Sequence, residues 1–545
     1  MSALPDRIVS PGRLSFDAST LRALIDARAQ HAPDKPFLLS TEDDDVLTFG
    51  ALRDDCIALE ARFRAAGLNP GDVVSVFMGN GIQTARLLLA AMYSGLVANP
   101  LNLLCQPSQV RYIVEHSDTR TIFVADDTHD TIVEAIDALH GEGMAREIAV
   151  VRTSPDAKAL PDIPTLPARV IPLVRDETPG THIVTSDACA MDPGDTALLM
   201  YTSGTTGAPK GVLLSHRNLL ANMRNISAEH RLSDDDRVLV SLPLYHINGL
   251  VVALLTPLWH GGSAVMTPRF SARTFWREAS QSGCTWINVV PTIVAYLLNA
   301  EGAQDCDLSA LKFCRSASAA LPADHHRAFE ARFGIGVIET MGMTETAAPL
   351  FSNPYDKTMR RLGSIGLPSG GEAKIVDLDG RECAPHETGE LVLRGEQLMS
   401  GYYKRPEETR NAFTADGWLR TGDLGYCDEA GFFYINGRAK ELIIKGGENI
   451  APREIDEALL RHPGVLEAAA VGVPDPAYGQ DIVAYIVPVG GAASLDVAEL
   501  RAHCLRELGR YKTPREFRFT DALPRGPSGK VQRLKLVQNP QPAAG

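Results

Sequence analysis

Between residues 48 and 67 the apolar positions recur at helical spacing. Leu52, Cys56, Leu59 and Phe63 share one face, Thr48 stands where a capping hydroxyl belongs, and Gly67 ends the run. A shorter helix is predicted earlier, from about Ser19 to Gln30. Val73 to Met78 is an almost unbroken apolar run of strand length, and Gly79-Asn80-Gly81 turns the chain after it. Ile82 to Ser94 reads as a helix, Gly95 stops it, and Leu96 opens another strand. A strand–helix–strand unit implies a parallel sheet with helices on its faces. Thr121 to Ala125 and Ile148 to Arg152 continue that sheet.

Residues 153–195 are proline-rich and aperiodic, which predicts an irregular connection. From about 217 to 340, helical segments again alternate with strands such as Trp286 to Val290 and Lys312 to Arg315. Residues 363–436 are β-rich, with strands at Ala373 to Asp377, Glu390 to Arg394 and Phe432 to Ile435. A smaller unit follows, with helices at Arg453 to His462 and Val497 to Leu508 around strands at Ala468 to Val473 and Ile482 to Val487. At 545 residues the chain exceeds what one core supports. The expected fold is therefore α/β. A large N-terminal domain, 1–436, combines parallel sheets with a β-rich part, and a small α+β domain, 437–545, follows.

Composition narrows the function classes. Hydrophobic residues make up 45% and charged residues 22%, as in ordinary globular proteins. A net charge of −14 argues against nucleic acid as a partner. The nine cysteines are scattered without a Cys-x-x-Cys pair, so neither zinc nor a disulfide framework is expected. No apolar run reaches about 18 residues, and the first residues lack an apolar signal core. A cytoplasmic enzyme that does not engage membranes is the expectation; oligomeric state is not legible.

The densest chemistry lies at residues 201–212, Tyr-Thr-Ser-Gly-Thr-Thr-Gly-Ala-Pro-Lys-Gly-Val. Glycines turn backbone N–H groups toward an anion, hydroxyls add donors, and Lys210 adds a positive charge. The stretch suits a polyphosphate. It is not a Walker A loop, because Pro209 and Gly211 flank the lysine and a short strand, Val212-Leu213-Leu214, follows. The loop sits between strands and is expected to be mobile.

This stretch closely resembles the phosphate loop of the adenylate-forming superfamily, which includes the acyl-CoA synthetases. Four further motifs follow in that family's order. Glu339-Thr340-Met341-Gly342-Met343-Thr344-Glu345 resembles its adenine and magnesium motif, although Met341 stands where an aromatic residue usually stacks on adenine. Trp418 to Asp423 resembles its ribose motif, Gly437 to Glu441 and Lys445 to Ile450 its hinge region, and Pro524 to Lys530 its C-terminal lysine motif.

The resemblance implies residue roles. Thr202, Ser203, Gly204, Thr205, Thr206, Gly207 and Lys210 would hold phosphates, and Glu339 to Met343 the adenine. Asp423 would accept the ribose hydroxyls, with Arg438 closing over the same sugar. Glu345 would hold Mg²⁺ beside the Thr344 hydroxyl. Lys530 would bridge substrate carboxylate and α-phosphate. Lys440 would be the hinge about which the small domain rotates, bringing Gly447 to the pantetheine channel. His246, in Pro243 to Gly249, would border the acid.

The implied activity is an AMP-forming acid–CoA ligase, which makes acyl-AMP and pyrophosphate, then acyl-CoA and AMP. Its partners would be a small carboxylic acid, ATP and coenzyme A. Phe313 to Ala319 and Ser352-Asn353-Pro354 resemble ligases of small dicarboxylates such as oxalate and malonate. Ala317 stands where a glycine is common and shortens the acyl space, while Arg315, His246 and Asn248 are possible partners for a second anion. A short polar or dianionic acid of the oxalate, malonate or sulfoacetate type is therefore expected. The alternatives are a medium-chain or aromatic acid, or a catalytically silent ATP-binding protein of the same fold.

Overall fold

A computed structural model of the protein describes residues 18–144, 146–166, 191–202, 208–438, 441–446, 448–491, 495–525 and 531–538. The helix expected after Thr48 is Phe49–Ala65, and the Thr48 hydroxyl accepts from the Ala51 N–H at 3.2 Å. Leu52, Cys56, Leu59 and Phe63 are all buried. Gly67 leads the chain away at φ +86°, a left-handed conformation open to glycine without strain. The earlier helix is Leu21–His31, capped by Thr20.

Val73–Phe77, the helix Ile82–Tyr93 and Val97–Pro100 form the expected unit, and the two strands pair in parallel. Every residue of that helix is buried, because it touches strands of both large sheets. This is where the main core sits.

Four sheets are present among the described residues. The largest has nine strands. Its parallel part runs Pro36–Ser40, Ser263–Met266, Arg237–Val240, Trp286–Val289, Phe313–Ser316 and Val337–Met343. The second, of seven strands, has Thr196–Thr202, Val97–Pro100, Val73–Phe77, Thr119–Val124 and Ala149–Arg152 in parallel, and Lys210–Ser215 returning antiparallel to Thr196–Thr202. A four-stranded antiparallel sheet, Gly371–Val376, Gly389–Gly395, Leu419–Cys427 and Phe433–Arg438, is the β-rich part. The last sheet is built on the hairpin Val465–Asp475 and Gly479–Pro488. The chain is thus α/β, with a large N-terminal and a small C-terminal domain.

Two details depart from expectation. Helices at Pro107–His116 and Asp126–Gly141 were not read from the sequence. The helix expected to end at Leu508 extends to Lys512, with Gly509 at φ +70° kinking it.

Candidate active site

In a parallel sheet, loops at the carboxyl ends of the strands bind ligands. Phe313–Ser316 and Val337–Met343 are neighbours, with Ser316 opposite Glu339. Their outgoing segments share one edge, and that edge opens on a cleft of about 1830 Å³. Leu321, Pro322, Lys210, Tyr402, Gly422 and Arg438 are among its walls.

Lys210 opens its strand opposite Thr202, whose hydroxyl donates to the Lys210 carbonyl at 3.4 Å. The Lys210 ammonium stands 4.7 Å from the centroid of the Tyr402 ring, within cation–π range. Ser203, Gly204, Thr205, Thr206 and Gly207 lie outside the described residues, as do Lys440, Gly447 and Lys530.

Glu345 is buried in the one-turn helix Thr344–Thr346. The Tyr402 hydroxyl donates to its Oε1 at 2.9 Å. The Thr346 hydroxyl folds back to cap the turn, accepting from the Met343 N–H at 3.0 Å. Ala347 and Ala348 leave it at φ +52° and +104°, strained values for alanine of a kind that clusters at functional sites. Mg²⁺ needs only one or two carboxylates and takes phosphate oxygens and water for the rest. One buried carboxylate close to the ring under Lys210 meets that need. No group of three or more His, Cys, Asp or Glu side chains able to hold a metal forms among the described residues. The donor set thus fits Mg²⁺ shared with a polyphosphate.

Glu339 Oε2 and the Thr340 hydroxyl, like Ser316 Oγ on the adjoining strand, are buried polar atoms without partners. Glu339 Oε1 accepts from the Leu321 N–H at 3.2 Å. Burial pushes its carboxyl up to about 7. Met341 packs against the main core, and a bulge separates its pairing from that of Gly342. A Cβ at Gly342 would lie 1.9 Å from the Ala348 carbonyl oxygen, so only glycine fits there.

Asp423 and Arg438 face each other across antiparallel strands, with Nε 2.8 Å from Oδ1. The Asp423 charge holds the Arg438 guanidinium above its ordinary value against the opposing effect of burial. Asp423 Oδ2 is buried without a partner, so one carboxylate oxygen remains for a further donor such as a sugar hydroxyl.

The residues suggested for the acid lie on three neighbouring segments. His246 is half-buried, its ring edge-on to Tyr245 at 4.8 Å. Asn248 opens the π-helix Asn248–Leu255. Arg315 is buried and donates Nη1 to Asn248 Oδ1 at 2.8 Å and to Asn288 Oδ1 at 2.7 Å. Burial draws its guanidinium down to about 9 against the opposing effect of Cys314, still protonated at neutral pH. Ala317 is buried just beyond that strand, its N–H donating to the Val289 carbonyl. The structure thus joins Asn248 to Arg315 directly.

Sequence reasoning missed Tyr402, Asn288 and Ser318. Asn288 did leave a signal, since it is an amide inside the otherwise apolar strand Trp286–Val289. Tyr402 left none, because its partner Glu345 is distant in sequence.

The model of the AMP-binding enzyme family matches residues 25–403, and that of the AMP-binding enzyme C-terminal domain matches 454–530. The chain belongs to the AMP-binding enzyme family. The sulfoacetate–CoA ligase of Cupriavidus necator is 62% identical over 520 residues, spanning 95% of this chain and 98% of that protein. The oxalate–CoA ligase of Arabidopsis thaliana is 33% identical over 531 residues, spanning 96% and 99%. Among solved structures, ATP-bound MatB from Rhodopseudomonas palustris is 28% identical, with a TM-score of 0.81 over 95% of this chain and 98% of that one. This AMP-binding enzyme is an acid–CoA ligase that uses ATP and coenzyme A, with the Mg²⁺ typical of its family. No helix among the described residues is long and apolar enough to cross a membrane.

Proposed function

We propose that this enzyme activates sulfoacetate, forming sulfoacetyl-AMP and then sulfoacetyl-CoA in the cytoplasm. The observation that carries this reading is 62% identity, over 95% of the chain, to the sulfoacetate–CoA ligase of Cupriavidus necator. The buried cation Arg315, bonded only to neutral amides among the described residues, supports a doubly charged acid.

The chemistry poses an electrostatic problem. Carboxylate and α-phosphate are both anionic, and two unit charges 4 Å apart repel by roughly 4 kcal/mol at an effective dielectric of 20. Lys530 offsets that repulsion at the reacting atoms. Thr202, residues 203–207 and Lys210 hold the phosphates. Glu345, beside Thr344, holds Mg²⁺, which when bound neutralises phosphate charge. Glu339 to Met343 flank the adenine. Asp423 takes the ribose through its unpartnered oxygen, while Arg438 holds that carboxylate in place. His246, Asn248, Arg315 and Ala317 form the acid end. The domains divide as 1–436 and 437–545. Rotation about Lys440 then exchanges the Lys530 face for the one carrying Gly447, where the absence of a side chain leaves room for the thiol.

A coupled AMP-release assay over acids of C2 to C12, with sulfonated and dicarboxylic members, tests the reading. Sulfoacetate should give the highest kcat/KM, with oxalate and malonate below it. Decanoate turning over far better than every short dianion would falsify it.

A further inference from the structure

Arg315 is 1% exposed, and no carboxylate among the described residues pairs with it. Its partners are two amides. Asn288 accepts from Arg315 and donates Nδ2 to Asn248 Oδ1 at 3.2 Å. Asn248 Oδ1 thus receives two donors, which fixes the orientation of that amide. Its NH₂ must point the other way, and it donates to Ser318 Oγ at 3.2 Å. Ser318 is held at φ +75°, a costly conformation for serine. From there the chain continues to Leu321 and Pro322 on the cleft wall. A buried guanidinium among neutral amides is an uncompensated charge.

We infer that Arg315 is a positioning residue that selects acids carrying a second negative charge, acting through the Asn248 amide rather than by touching the acid. The inference rests on the acid assigned above. The Asn248 NH₂ and the Ser318 hydroxyl meet the distal anion, Asn288 holds the amide in register, and Arg315 polarises it from behind. With one amide between guanidinium and anion, their separation is about 8 Å. At an effective dielectric of 20 that is worth roughly thirty-fold in discrimination.

Sulfoacetate and methylsulfonylacetate are close in size and differ in the charge of the tail. The ratio of their kcat/KM values cancels any loss common to both. In the unaltered enzyme the ratio should favour sulfoacetate. Arg315→Met should cut it by about ten-fold or more. Asn248→Asp, which sets a carboxylate against the guanidinium, should do the same, with KM for ATP unchanged in both. If Arg315→Met does not fold, Asn248→Asp decides alone. A ratio unmoved by Asn248→Asp, with both acids losing equally, overturns the inference and leaves the acid assignment standing. An unaltered enzyme that prefers the uncharged tail overturns that assignment and the inference with it.

Discussion

Glu339→Gln isolates what burial does at the centre of the site. The Glu339 carboxyl is 3% exposed, and only one of its oxygens is hydrogen-bonded. Desolvation raises it from 4.5 to about 7, while Leu321 N–H and the Arg453 charge oppose the rise and Glu457 adds to it. At about 1.4 kcal/mol per pH unit, that rise is worth about 3 kcal/mol. The sign follows from the direction. A carboxyl raised in the folded state binds its proton more tightly there than in the unfolded chain. Its contribution to stability is complete below pH 4.5 and is lost as pH climbs through about 7. Glutamine keeps the shape and does not titrate. Between pH 5.5 and 8.5 the Gln variant should therefore gain about 2 kcal/mol on the parent enzyme, the part of the loss falling in that window. Urea unfolding of both proteins across the window, comparing midpoints of the same transition, measures it. Two curves running parallel from pH 5.5 to 8.5 would show that Glu339 is ionised in the fold, and the argument would fail.

Two further outcomes are expected. Lys530→Ala should slow pyrophosphate exchange about 10²- to 10³-fold, as loss of one preorganised charge does, while thioester formation from supplied acyl-adenylate keeps its rate; equal losses in both half-reactions would remove the lysine from the adenylation step. Gly342→Ala forces a Cβ to within 1.9 Å of the Ala348 carbonyl oxygen and should cost on the order of 3 kcal/mol in a thermal or urea melt; a change under about 0.5 kcal/mol would mean that the bulge relaxes freely.

The nucleotide motifs were legible because they are local. Gly342 is demanded by a bulge within its own hairpin, and Asp423 and Arg438 meet across adjacent strands only 15 residues apart. The helix after Thr48 was legible for the same reason, since cap and apolar stripe lie within a few turns. Sheet order was not. Pro36–Ser40 pairs with Ser263–Met266, and a fully buried strand such as Val73–Phe77 has no alternation to say what covers each face. The π-helix Asn248–Leu255 is buried throughout, so no period marks it. The acid end was half legible. The resemblance suggested Arg315 and Asn248, but their bond joins residues 67 positions apart, and Asn288 enters only through the register that sets it opposite Arg315.

That register sets two ionisable groups on neighbouring strands with their side chains on alternate faces of the sheet. Arg315 lies opposite Ile338, next to Glu339 along the neighbouring strand. Burial acts on both ionisable groups, and it disfavours charge on each. The consequences are opposite because their ordinary values lie on opposite sides of neutrality. Glu339 rises to about 7, so that about half of its carboxyls are protonated at pH 7, while Arg315 falls only to about 9 and keeps its charge. Burial therefore weakens the anion near pH 7 and leaves the cation charged. The uncompensated guanidinium costs stability in the empty protein, and an apolar side chain of the same volume would avoid that cost. The dianionic acid proposed above would offset it, whereas a monoanionic acid with an uncharged tail would leave it in place. The preference for a second negative charge inferred above would therefore be lost in a variant that pairs Arg315 with a carboxylate.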